Sequence, residues 1–539
     1  MEKTQQILRR VILVLFLLAF GYVFFASMLK ISFNNNSGLP VIFTIIASGI
    51  MILVYKLSAH VSDRQAHFAL YGFITIAVII QIIVGAQLRY VPMFDIDAVF
   101  GGGREWALTG DFPSYRDYFN MQTPNFGGLY LFRCVFSVYK IFGGTDFYMA
   151  AVVFNTLLLQ GFVWSMWYLG GHLAGGARGR VTALALIGGF LPFYTMGAAF
   201  YTDALSMPFI AMTFAFYFIA RNGKSRRKQL IFYALVGVSS AIGAIIKVTA
   251  LIALIALVLD FVLNTKKWIW ADIKSRAAGV LTAIGATAVI MLSFYGYMGT
   301  QFGPERENAR VPFTHWIMMG LAGDGQYNPQ DYDFTFSFPT YTEKKKAISE
   351  EIRRRVNERG VDGMLSLWGT KLAISFESGI FKQHDFFHLD PQNQSALHEY
   401  VLPDKQHFRT YDFVATSLML ALMAMGLFGA VAGFFKNKFV MPYLCMVGFA
   451  MFLVLWETNN RIALNHLPVL MICALMGLAQ LENLCGISLG KNSDGSEDED
   501  IGETDSHSKV EEKNPKTLSK RKEHRRKSMP KHSGYSRLT

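Results

Sequence analysis

Long apolar runs separated by short charged or glycine-containing connections set the pattern of this chain. The runs lie at residues 11–29, 40–56, 68–89, 147–169, 181–199, 203–220, 230–247, 249–264, 275–297, 411–434, 438–456 and 463–484. Crossing a hydrocarbon core as a helix takes roughly 20 mostly apolar residues, so these runs predict about twelve transmembrane helices. A further apolar stretch, residues 126–142, is shorter and carries Arg133 and Lys140. It reads as an amphipathic helix lying on the outer surface. Counting it as a span would invert every later loop.

The polar connections test this assignment. With the N-terminus in the cytoplasm, alternation puts Lys56 to His67, Gly170 to Arg180, Arg221 to Lys228, Thr265 to Arg276 and Lys436 to Lys438 inside. These are the loops rich in Lys and Arg, as the positive-inside rule requires. The same alternation puts residues 90–146, the turns at Gly197 to Asp203 and at Lys247, residues 298–410 and Glu457 to Arg461 outside. The expected fold is therefore an all-α polytopic membrane protein. Its parts are two N-terminal helices (1–67), a core of spans (68–297) with a first outer loop (90–146), a long outer loop (298–410) and C-terminal spans (411–484). The long loop carries six prolines and a charged stretch, Glu343 to Arg359, of helical composition. The tail (485–539), acidic and then basic with few large apolar residues, is expected to be a disordered cytoplasmic segment.

Composition agrees. Of 539 residues, 52% are hydrophobic and 17% charged, against roughly 25% charged in soluble domains. The net charge of +12 gathers in the inner loops and the tail, so it is read as a topology signal and an attraction to membrane lipids, with no nucleic-acid partner. Cys134, Cys445, Cys473 and Cys485 show no metal-ligand spacing.

Candidate chemistry collects at outer helix ends. Asp95 and Asp97 follow the third span; either could serve as a general base, Asp97 first. As paired carboxylates they also have the ligand type for a divalent cation, although no cofactor is required. Tyr201 and Asp203 open the sixth span, Lys247 occupies a tight turn, and Glu457 and Arg461 lie between the last two spans. Each has an ordinary alternative: a helix cap for Asp97 and Asp203, snorkelling for Lys247, an i,i+4 ion pair for Glu457 and Arg461. Their convergence on one face favours a site with acids to activate a nucleophile and cations to hold an anion.

These residues sit in short motifs: Asp97-Ala98-Val99-Phe100, Tyr118-Phe119 followed by Gln122-Thr123-Pro124-Asn125-Phe126-Gly127, Phe200-Tyr201-Thr202-Asp203, Lys247-Val248-Thr249, and Glu457 to Arg461. With the layout of loops and spans, they resemble the type C glycosyltransferases, family 39-like, a group including protein O-mannosyltransferases, the lipid A aminoarabinose transferase and similar Gram-positive membrane enzymes. The chain departs from those relatives at Phe126, Val248 and Ile462, where they carry Asn, Pro and Tyr. The resemblance implies inverting transfer of a sugar from a polyprenyl-phosphate donor to an envelope glycan, lipid or protein acceptor on the outer face of the cell membrane. Asp97, or else Asp95, would be the base, and Lys247 and Arg461 would hold the phosphate. Asp203, Glu457, Tyr201 and Asn125 would contact substrate. Competing readings are a transporter or flippase of a lipid-linked or anionic solute, and a non-catalytic assembly factor. No paired halves of the kind transporters use are evident.

Overall fold

The computed structural model describes residues 2–34, 37–264, 270–435 and 439–485. The expectations for the tail beyond Cys485, for Lys266 and Lys267, and for the Lys436 to Lys438 loop fall outside the described residues. The described chain is helical throughout, apart from turns, loops and one isolated bridge between Tyr90 and Pro391.

Nine helices among the described residues are long and apolar enough to cross a membrane. They match nine of the expected spans. The remaining three runs fold as shorter helices: Gly176–Gly189, Leu251–Asn264 and Met441–Leu455. The first stops early because Gly188, Gly189 and Pro192 follow in quick succession, and the chain turns through a one-turn helix, Pro192–Thr195, before Thr202–Arg221 begins.

Burial sorts the spans. The span at Asn460–Leu481 has 94% of its most apolar window buried, whereas Leu39–His60, Asp63–Gln87 and Arg276–Gly299 have 22%. The exposed side chains of the latter are large and apolar, among them Ile45, Ile76 and Leu292. A helix that presents such residues outward has lipid, not water, as its solvent.

The connections between spans fold into structure of their own. The first long connection forms the helices Phe94–Thr109 and Phe126–Ile141, and the apolar face of the second is buried through Phe126, Leu129, Phe132 and Phe136. A separate aromatic core builds up there, with Tyr90, Phe100, Phe119, Phe200 and Phe387. The Tyr90 hydroxyl donates to the Ala198 carbonyl at 3.1 Å, tying the first connection to the turn before Thr202. In the long connection, Thr340 and Glu343 form a capping box that starts the Tyr341–Ser375 helix. That helix covers the charged Glu343 to Arg359 stretch and is broken at Gly360, whose φ of 59° is open to glycine at little cost.

Candidate functional site

Two of the short helices create the site by what they leave undone. Arg226–Ile246 ends at Lys247, whose backbone is extended (φ −151°, ψ 116°), and the chain resumes as Leu251–Asn264 after one turn of 3-10 helix. Met441–Leu455 ends in an extended Trp456, and a 3-10 stretch, Asn460–His466, leads into Leu467–Cys485. Helices of 14 and 15 residues reach about 21–23 Å at 1.5 Å per residue, short of a hydrocarbon core of about 30 Å. Irregular backbone at such depth is tolerated where it lines a cavity. A cavity of about 540 Å³ occupies that place.

Six sequence-predicted residues line this cavity together: Asp95, Asn125, Tyr201, Lys247, Glu457 and Arg461. They come from five separate parts of the chain. Asp203 stands directly behind them, 1% exposed. Its carboxylate accepts a hydrogen bond from the Lys247 ammonium through Oδ1, and Oδ2 lies 3.1 Å from Arg461 Nε. One buried anion thus serves as counter-ion to two cations, both of which line the cavity together with the carboxylates of Asp95 and Glu457. The guanidinium of Arg461 is also held over the Tyr201 ring at 4.5 Å. The i,i+4 ion pair anticipated for Glu457 and Arg461 is absent among the described residues: Arg461 goes to Asp203 instead. Glu457 is fixed by its backbone, whose N–H donates to the Trp316 carbonyl at 3.1 Å. Burial pushes its carboxyl above the usual range, opposed by Arg461 and Lys247.

The two aspartates of the first connection part company. Both lie in the first turn of Phe94–Thr109. Asp95 lines the cavity of about 540 Å³ and accepts a hydrogen bond from the Tyr118 hydroxyl at 2.8 Å. Asn125 Nδ2 donates in turn to that Tyr118 oxygen. Burial holds the Tyr118 phenol well above its ordinary value, so it remains a donor that orients the carboxylate. Asp97, the residue favoured from sequence as the base, does not line this cavity. It accepts from the Tyr115 hydroxyl at 3.1 and 3.2 Å and borders another cavity, with Arg89, Arg104 and Asp146. Residues two apart on a helix point about 200° apart, and burial of Ile96, Ala98 and Val99 fixes which of the two turns inward. The same divergence separates the carboxylates proposed as a joint cation clamp. Among the described residues no group of three or more His, Cys, Asp or Glu could hold a metal ion.

Sequence reading missed the aromatic wall. Trp316, Tyr327 and Tyr332, from the long connection, line the cavity with Trp456. Trp316 and Trp456 stack with ring centres 5.4 Å apart and planes 8° apart. The only advance signal was the density of aromatic residues between His315 and Phe338. Tyr118 was quoted in a motif but given no role.

The family model described as "Conserved hypothetical integral membrane protein" matches residues 1–481. No curated protein matches the chain. Among solved structures, ArnT from Cupriavidus metallidurans bound to undecaprenyl phosphate aligns at 13% identity, covering 76% of this chain and 77% of that chain, with a TM-score of 0.35.

Proposed function

The chain belongs to this family of conserved integral membrane proteins, and we propose that it is an inverting glycosyltransferase that uses a polyprenyl-phosphate sugar and works at the outer face of the cell membrane. The observation that carries this reading is the sharing of one cavity by Asp95, Lys247 and Arg461. The motif resemblance to type C glycosyltransferases points the same way.

The chemistry asks little more than these groups. The acceptor hydroxyl oxygen attacks the anomeric carbon, and Asp95, rather than Asp97, takes the hydroxyl proton. The bond from the anomeric carbon to the phosphate oxygen breaks as the new bond forms, and its electron pair leaves with the lipid phosphate. Lys247 and Arg461, pre-set by Asp203, stabilise that departing charge. Preorganised donors aimed at developing charge are usually the largest single catalytic contribution. A phosphate is a good leaving group, so no separate general acid is needed. Asn125 acts through Tyr118 to orient Asp95, and Tyr201 supports Arg461. Glu457 and the Trp316–Trp456 wall border the space left for the sugar.

Membranes containing the protein, supplied with a panel of labelled polyprenyl-phosphate sugars, test this. At least one sugar is expected to leave its lipid and become covalently attached to an envelope acceptor. Movement of intact labelled lipid across the membrane, with no transfer product from any donor, would favour a flippase and overturn the enzymatic reading.

A further inference from the structure

The cavity of about 540 Å³ is not the only opening onto Asp95. A second cavity of about 360 Å³ meets the same carboxylate and the same Arg461, and is walled by Asp385, Phe386, His388 and Leu389. Phe94 lines both spaces. Arg461 stands at their boundary, 4.5 Å from the centre of the Tyr201 ring and 5.8 Å from that of Phe386.

Phe94 is unusual in two independent respects. Its φ is 54°, one of three positive values at non-glycine residues among those described. A bulky side chain in that region is a genuine outlier with an energetic cost. Its ring is also 78% exposed, so core burial does not repay that cost. Packing inside the protein core therefore gives no reason for phenylalanine here. The ring stands between two cavities, one residue before the proposed base.

Resting on the transferase reading above, we propose that the smaller cavity receives the acceptor, that the acceptor presents a carbohydrate ring, and that Phe94 is the platform on which this ring lies. The cavity is two-sided in the way a sugar ring is. Phe94, Phe386 and Leu389 offer apolar surface to the C–H face, whose weakly positive hydrogens suit the negative face of an aromatic ring. Asp385, His388, Arg461 and Asp95 offer polar groups to the hydroxyl rim. A ring seated on Phe94 brings one hydroxyl to Asp95 while the donor phosphate lies beyond Arg461. The strained backbone keeps the aromatic ring in the open, where packing into the core would otherwise draw it.

The test uses the purified full-length protein in lipid nanodiscs, with two probes. One is a panel of methyl glycosides of common envelope sugars, followed by saturation-transfer NMR and titration. The other is undecaprenyl phosphate. At least one glycoside should bind the wild type, and Phe94→Gly should weaken it about tenfold, the size of one good aromatic contact. Phe94→Tyr should keep affinity within about twofold. Undecaprenyl phosphate binding should fall less than glycoside binding in Phe94→Gly, because its phosphate is held through Lys247 and Arg461. Phe94→Gly should also melt no lower than the wild type, because glycine accepts the positive φ. The proposal fails if no glycoside binds, if Phe94→Gly leaves glycoside affinity intact, or if it weakens both probes equally. Failure of undecaprenyl phosphate to bind the wild type would instead count against the donor assignment.

Discussion

Asp203 is the residue on which the site's electrostatics turn. It is 1% exposed and contacts two cations that have no other carboxylate within ion-pair distance among the described residues. Removing one partner from a buried ion pair costs about 3–5 kcal/mol, because the charge left behind is uncompensated. Asp203→Ala should therefore lower the melting temperature in detergent and weaken polyprenyl phosphate binding together. Unchanged melting and binding would show that Lys247 and Arg461 do not depend on it. At this scale the sequence placed acids and cations at outer helix ends and expected them to converge, but did not give their pairing. Four of those acids and cations, Asp95, Lys247, Glu457 and Arg461, line one cavity, with Asn125 and Tyr201 beside them. The choice between Asp95 and Asp97 was not legible, because helix rotation is set by Ile96, Ala98 and Val99 packing into a distant aromatic core. Nor could the sequence say that Arg461 would pair with Asp203, 258 positions away, in preference to Glu457, four positions away.

Among the elements, the contact between the Phe126–Ile141 and Arg226–Ile246 helices positions both the Asn125 arm and Lys247. It depends on Gly127. A Cβ built there would lie 1.9 Å from the Ile245 carbonyl oxygen, a backbone atom that cannot swing aside. Gly127→Ala should cost about 1–3 kcal/mol through overpacking, read as a lower melting temperature together with weaker donor binding, since Ile245 lies two residues before Lys247. Gly49→Ala, with nothing within 4 Å of the added methyl, serves as the neutral control. Equal melting temperatures for the two variants would mean that the helices separate freely. Helix length was the least legible property at this scale. The sequence marks a turn at Lys247, between the runs 230–247 and 249–264, but reads both runs as spans; the second folds as a 14-residue helix, Leu251–Asn264. What the sequence does not show is that the helices flanking this turn leave a cavity there.

Across the whole molecule, the pattern of apolar runs and basic loops predicted an all-helical membrane protein, and nine helices long and apolar enough to cross a membrane, among the described residues, bear that out. Composition carries such information well, since every buried backbone group in lipid must be satisfied within a helix. Three runs proved shorter than anticipated, and two of those, Leu251–Asn264 and Met441–Leu455, adjoin the site. Local pattern located the turns at Lys247 and at Glu457 to Arg461, but not how far the flanking helices stop short of a full span. The aromatic wall from the long connection belongs to the same class: its residues find the cavity only through tertiary folding. The central claim is that Asp95 activates the acceptor in a cavity where Lys247 and Arg461 hold the donor phosphate. Sugar transfer and donor binding measured in the same membranes test it most directly, comparing wild type with Asp95→Asn and Asp97→Asn. Loss of a general base should slow transfer by roughly 10²–10⁴-fold in Asp95→Asn, with donor binding retained and Asp97→Asn affected far less. Full transfer by Asp95→Asn would contradict the account.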